Sequence, residues 1–268
     1  MMRFLLSLRG WELASLLSFV YTGLVAAFLK RGLPPSARIR VLGGSVAGLL
    51  LTVASAMAPS HSLWHGWLLP PALLLLGYWT SGLLFVAPMK QIEKLFALVD
   101  RLVEVRRLGS RAPVTVAEFL EFSYAAVFAL IPVALALHLA LSPAPDTDRF
   151  WTVILVTDFI CFAALPWIQT RPPRALESGE PWSSSFRSFN LRWLGSASIQ
   201  VNTFPSGHAA EALAAALLVS NLRPSVFIWM LFNAAAVSAG AVFGRYHYAI
   251  DAFAGWLVAI GVWLVVMH

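Results

Sequence analysis

The stretch Tyr248-Ala-Ile-Asp-Ala-Phe-Ala-Gly-Trp-Leu-Val-Ala-Ile-Gly-Val-Trp-Leu-Val-Val-Met267 carries one charge, Asp251, and otherwise reads as an apolar helix. A helix rises about 1.5 Å per residue and a bilayer core is about 30 Å thick, so roughly 20 such residues cross it. Working outward, similar stretches recur near Trp11–Leu29, Val41–Met57, Leu63–Val86, Glu118–Leu141, Phe150–Ile168, Ser206–Asn221 and Val226–Phe243, which makes about eight expected spans. Of the 268 residues 59% are hydrophobic and 12% charged, and no water-soluble fold of this size hides that much apolar surface. The expected fold is therefore an all-α, multi-pass transmembrane helical bundle. Strands are not expected, because lipid does not tolerate open sheet edges.

The polar segments divide the chain into three expected parts: N-terminal transmembrane helices over 1–88, a basic amphipathic interfacial helix over 89–113, and a transmembrane core over 114–268. The middle part places Ile92, Leu95, Phe96, Val99, Leu102 and Val103 on one stripe, with Lys94, Arg101, Arg106 and Arg107 mostly elsewhere. A connector packed on the bundle has the same pattern. Arg3 and Arg9 precede the first apolar stretch without a clear cleavage pattern, so a retained first helix is expected. The net charge of +6 fits membrane topology and anionic lipid contact, not nucleic acid. Cys161 is the one cysteine, so it has no partner within the chain for a disulfide.

With eight crossings, most lysines and arginines fall on one side, which the positive-inside rule makes cytoplasmic. Three clusters lie on that same side, each at a helix end: Arg171-Pro-Pro-Arg174, Phe204-Pro-Ser-Gly-His208 and Arg245-Tyr-His-Tyr-Ala-Ile-Asp251. Ser206 reads as the N-cap of the helix that follows, and free N–H groups with the helix dipole make that end an anion site. Gly207 lets backbone approach a phosphate oxygen, and His208, in the first turn, is placed to protonate a leaving oxygen. His247 and Asp251, four apart, share a helix face. A carboxylate on one ring nitrogen frees the other to attack phosphorus. Arg171 and Arg174 offer planar forks that suit phosphate oxygens.

Each cluster alone has a plainer reading: a capped helix with an interfacial histidine, a structural His–Asp pair, arginines on lipid headgroups. Together they supply the donors, cations, nucleophile and acid that phosphoryl transfer needs, without a metal or other cofactor. Asp158 and Glu211 are carboxyls within apolar spans, where charge is expensive and function the default expectation. With Glu121 and Tyr124 they are further candidates for lining a substrate pocket. His61 and His65 have metal-compatible spacing but no carboxylate nearby, and read as interfacial. His138 reads as hydrogen-bonded within the bundle.

The motif Phe204-Pro-Ser-Gly-His208-Ala-Ala resembles the second motif of the type 2 phosphatidic acid phosphatase superfamily, and His247-Tyr-Ala-Ile-Asp251 with Gly255 resembles its third. Arg171-Pro172, or Pro173-Arg174, is similar to the first. The resemblance implies an all-helical membrane core, His247 as nucleophile, Asp251 as its orienting partner and His208 as proton donor. It implies phosphate held by Ser206, Gly207 and a first-motif arginine, with no metal. The chain lacks the lysine expected before the first Arg-Pro pair, and has Ala241 where the third motif carries arginine; Arg245 is a substitute from another angle. The Pro-Pro-Arg and Arg-x-His-Tyr pattern is closer to the inositol-phosphotransferase branch, and His-Tyr-x-x-Asp is similar to sphingomyelin synthases.

The expected activity is therefore a membrane-embedded phosphatase for a lipid phosphate or isoprenyl pyrophosphate, working through a phosphohistidine. A lipid head-group phosphotransferase and a non-catalytic lipid-binding or transport protein stand beside it. The expected partners are a phosphorylated lipid substrate and membrane lipids. The expected location is the cell (inner) membrane, with a site on the cytoplasmic side by charge and the opposite side by resemblance.

Overall fold

The computed structural model describes residues 8–57, 64–201 and 203–268. Residues 1–7 and His61 lie outside that range, as does the side chain of His65. The described chain is helical, with no strand among the described residues. Twelve α-helices follow in order: α1 (Gly10–Leu24, extended by a π turn over Val25–Leu29), α2 (Pro35–Met57), α3 (Leu69–Gly82), α4 (Lys90–Leu102), α5 (Val105–Ser110), α6 (Val114–Ala125), α7 (Val127–Leu141), α8 (Thr147–Ala164), α9 (Ser185–Ala197), α10 (Gly207–Leu218), α11 (Pro224–Phe243) and α12 (Ala249–Met267).

Every stretch expected to span contains helix, and about eight stretches were expected. Among the described residues, four helices are by length and composition apolar enough to cross a membrane: α1 with its π turn, α2, α11 and α12. A fifth is added if α6 and α7, bent by 63° at their junction, count as one broken span. The expected sixth stretch yields only the 12-residue α10, which reaches about 18 Å at 1.5 Å per residue, short of the bilayer core. The expected fifth stretch, α8, carries Asp148, Arg149 and Asp158.

This short helix is the centre of the bundle. α10 packs against α12, α11, α8 and α7, and Ala209, Ala210, Ala212 and Ala214 to Ala216 are inaccessible to solvent. Alanine suits the place: it has high helix propensity and lets neighbouring helices approach closely. The start of α10 is held by α12. The Ser206 N–H donates to the Asp251 carbonyl at 3.0 Å, and the Ser206 hydroxyl accepts from Ala209 N at 3.3 Å as an N-cap. Gly255 lies one turn further along α12, where a Cβ would overlap the Ser206 carbonyl oxygen.

α4 has the expected amphipathic pattern, yet its acidic residues turn inward. Glu93, Phe96 and Asp100 are buried against the protein, while Leu95, Leu98 and Leu102 are exposed. Through Glu93 and Asp100, α4 reaches the loops that carry the first and third motifs. The long polar segment after α8 is likewise ordered, containing a 3-10 turn over Pro173–Ala175 and α9, which packs on α6.

The contact at Gly255 predicts that G255L costs about 1–3 kcal/mol through overpacking. It should lower the melting temperature of the purified protein, while G261L, where the added atom meets nothing, should leave it unchanged.

Candidate active site

The turn between α11 and α12 delivers His247. Arg245 takes a left-handed conformation, with φ of 62°, and the N–H groups of Tyr246 and His247 both donate to the Ala241 carbonyl at 2.9 Å. The His247 ring is buried, with Nδ1 3.0 Å from the Thr203 carbonyl and 3.4 Å from Asp251 Oδ2. Both neighbours are acceptors, so Nδ1 carries the proton and Nε2 keeps its lone pair. The nearer acceptor is thus the main chain of residue 203. The Asp251 carboxylate instead takes its close bond from Tyr248 N, at 2.9 Å, closing the first turn of α12.

His208, in the first turn of α10, stands opposite. Its ring centroid is 6.2 Å from that of His247, 5.4 Å from Tyr124 and 5.5 Å from Phe128. An attacking nitrogen needs about 3–3.5 Å to phosphorus and a proton donor about 2.6–3.2 Å to the leaving oxygen. A centroid separation of 6.2 Å leaves room for one phosphoryl group between the two rings. The two histidines lie on the wall of a cavity of about 560 Å³, which Gly207, Tyr124, Asp158, Glu211, Tyr246 and Arg174 also line. The rest of its wall is largely apolar, including Phe162, Leu74, Leu75, Ile131 and Trp193.

The arginines separate. Arg174 lines this cavity, with its guanidinium 5.0 Å from the centre of the Tyr246 ring and Nη2 3.2 Å from Gln200 Oε1. Burial pulls its pKa down, yet a guanidinium stays charged, so a partly desolvated cation faces the cavity. Arg171, expected beside the phosphate, is turned away. It forms a fork on Glu93, with Nε–Oε1 at 3.0 Å and Nη2–Oε2 at 2.8 Å. Those bonds hold the Glu93 carboxyl below the usual carboxylate range. Arg245, also expected there, is engaged by Asp100 at 2.7 Å and Glu177 at 2.5 and 3.0 Å, and lines a second cavity of about 330 Å³ that Arg174 and Gln200 line as well. Ser206 caps α10 without lining the main cavity.

Glu121 is a hub instead of a pocket residue. Fully buried, it accepts from Trp182 Nε1 (2.8 Å), Arg187 Nη1 (2.9 Å), Asn190 Nδ2 (2.7 Å) and the Tyr246 hydroxyl (2.6 Å). Arg187 also pairs with Glu180. Tyr246 stacks on Tyr124 at 4.3 Å and 6°, so the residue next to His247 is fixed on several sides. Tyr246, Arg187 and the Thr203 carbonyl were not expected. Tyr246 had a signal in its place beside His247, whereas a main-chain acceptor leaves none in sequence.

Fold and site together define a helical membrane protein whose histidine pair faces a largely apolar cavity. The family model described as the PAP2 superfamily matches residues 103–265, and the chain belongs to that superfamily. Membership supports a phosphatase-type function acting on a phosphorylated substrate. No curated protein matches the chain. No solved structure matches it either.

Two outcomes follow for the arginines. R245A leaves Asp100 as a buried, uncompensated charge and should cost about 3–5 kcal/mol of stability; normal stability with weakened substrate binding would contradict the placement. For Glu93 the folded pKa lies below the unfolded one, so its contribution is complete above the unfolded value and lost as pH falls through the folded one. The melting-temperature gap between wild type and E93Q should be widest at neutral pH and narrow below about pH 4.3.

Proposed function

We propose that the protein is a lipid-phosphate phosphatase that works through phospho-His247. The observation that carries this reading is the pair of imidazoles 6.2 Å apart at one cavity with Arg174. His247 Nε2 attacks phosphorus, and the bond from phosphorus to the lipid oxygen breaks as the phosphorus–nitrogen bond forms. The leaving oxygen takes its proton from His208. The Thr203 carbonyl and the Asp251 carboxylate, which both face Nδ1–H, balance the positive charge that develops on the ring. Arg174 and the N–H groups of Gly207 and His208, at the start of α10, take the phosphate oxygens, because the first N–H groups of a helix have no partner within it. Water then hydrolyses the phosphohistidine, with His208 accepting its proton. A lipid monophosphate or isoprenyl pyrophosphate places its chain along the apolar wall.

The same reading assigns the parts of the chain. Residues 114–268 form the catalytic core, and 1–88 supply flanking membrane helices. Segment 89–113 lies at the interface of the cell membrane, with Leu95, Leu98 and Leu102 toward acyl chains and Lys94 and Arg101 toward headgroups.

Mild reaction of the purified protein with radiolabelled lipid phosphate, quenched in base, should yield an acid-labile phosphoenzyme on His247. H247A should give neither phosphoenzyme nor phosphate release. H208A should form product about 10²–10⁴-fold more slowly. Full phosphate release by H247A would overturn the reading.

A further inference from the structure

The turn that carries His247 is gripped from α4, at both flanks, by one carboxylate. Asp100 is 4% exposed; its Oδ2 accepts from Arg245 Nη1 at 2.7 Å and its Oδ1 from Ala249 N at 2.9 Å. Those partners stand two residues before and two residues after His247. Phe96, one turn earlier on the same face of α4, packs on Tyr248 at 5.6 Å and on Phe204 at 5.3 Å between ring centroids. Tyr248 follows His247 directly, and Phe204 follows Thr203, whose carbonyl meets His247 Nδ1. Both α4 residues precede residue 103, where the superfamily match begins.

The two bonds act on geometry as well as on charge. Arg245 holds a left-handed backbone, with φ of 62°, which a residue with a side chain keeps only where its surroundings enforce it. Its guanidinium is pinned by Asp100 and Glu177. Ala249 is the first residue of α12, so its N–H has no partner within the helix, and Asp100 supplies one. Neutralising Arg245 does not require the Ala249 contact. That second bond sets the width of the turn, and the width sets where the ring between its ends points. An attacking nitrogen must sit about 3–3.5 Å from phosphorus, and misplacement by about 1 Å costs about 10²-fold in rate.

We propose that Asp100 is a positioning residue for the nucleophile: by spanning the turn from Arg245 to Ala249 it sets the His247 ring against phosphorus. Phe96 supports it by packing on the neighbours of His247 and of its acceptor, Thr203. The inference rests on the phospho-His247 reading, and it makes α4 part of the phosphoryl-transfer apparatus. Asp100 touches no reacting atom. Its effect therefore falls on the rate at which Nε2 takes the phosphoryl group, and not on how tightly the lipid phosphate is held.

The decisive variant is A249P, in the full-length protein in lipid nanodiscs. Proline suits the first position of a helix and the extended Tyr248 before it, with φ of −74° and ψ of 156°. It removes the N–H that Asp100 accepts, while both members of the Arg245–Asp100 ion pair remain. Hexadecyl phosphate serves as substrate and hexadecylphosphonate as the uncleavable probe of binding. Rates are counted per phosphonate-binding site, so an unfolded fraction drops out. A249P should lower kcat and the rate of phosphohistidine formation by about tenfold to 10²-fold, with phosphonate affinity unchanged. A249G, which keeps the N–H, should stay near wild type. D100A should lose at least as much as A249P, and D100A with A249P no more than D100A alone, because both remove the same bond. Wild-type kcat in A249P overturns the inference, as does an equal loss in A249G or a loss that appears in phosphonate affinity instead of phosphohistidine formation. So do effects of D100A and A249P that multiply. Turnover that survives H247A sinks the phosphohistidine reading, whereas phospho-His247 formed by A249P at the wild-type rate sinks this inference alone.

Discussion

The site depends on one main-chain hydrogen bond and the close approach beside it. The Ser206 N–H meets the Asp251 carbonyl at 3.0 Å, and Gly255 leaves room for the Ser206 carbonyl against α12. Segments separated by some forty residues are thereby locked at one end of α10. A spanning helix could not be held there as readily; α10 is short, alanine-lined and buried, so its first turn lies inside the protein. In low-dielectric surroundings each N–H and cation aimed at that turn counts for more than it would in water.

Around this joint the chain spends its charges in pairs. Arg171 is matched by Glu93, Arg245 by Asp100 and Glu177, and Arg187 by Glu121 and Glu180. Arg174 faces the cavity instead, over Tyr246. Two of the pairs come from α4, whose acidic residues reach inward while its leucines face out. The helix therefore braces the first and third motif loops as it presents apolar side chains to its surroundings. A fork on a carboxylate uses the same guanidinium geometry that suits a phosphate, which is why arginine type alone does not tell the two roles apart.

Much of this was legible in sequence, and what was not has physical reasons. The apolar runs located the helices, and the histidine motifs marked the residues that converge on the cavity. The sixth stretch gave a shorter helix than a span requires because an apolar run reports burial, whether in lipid or in protein, and α10 is buried in protein. The bend between α6 and α7 has no proline or glycine at Ala125, Ala126 or Val127 to announce it. The partners of Arg171, Arg187 and Arg245 stand 78, 66 and 145 residues away for their bonds to Glu93, Glu121 and Asp100, beyond any local pattern. The inward turn of Glu93 and Asp100 reverses what amphipathicity suggests, because each carboxylate meets an arginine from a distant loop. The acceptor nearest His247 is a carbonyl, which every residue possesses.

The most direct measurement of the central claim is an experimental structure of the protein with orthovanadate, which takes up the trigonal-bipyramidal geometry of phosphoryl transfer. The account predicts vanadium bonded to His247 Nε2, with His208 hydrogen-bonded to an apical oxygen and Arg174 to an equatorial one. Vanadate bound by Arg171 or Arg245 instead, or bound with the two imidazoles too far apart to touch it together, would contradict the account.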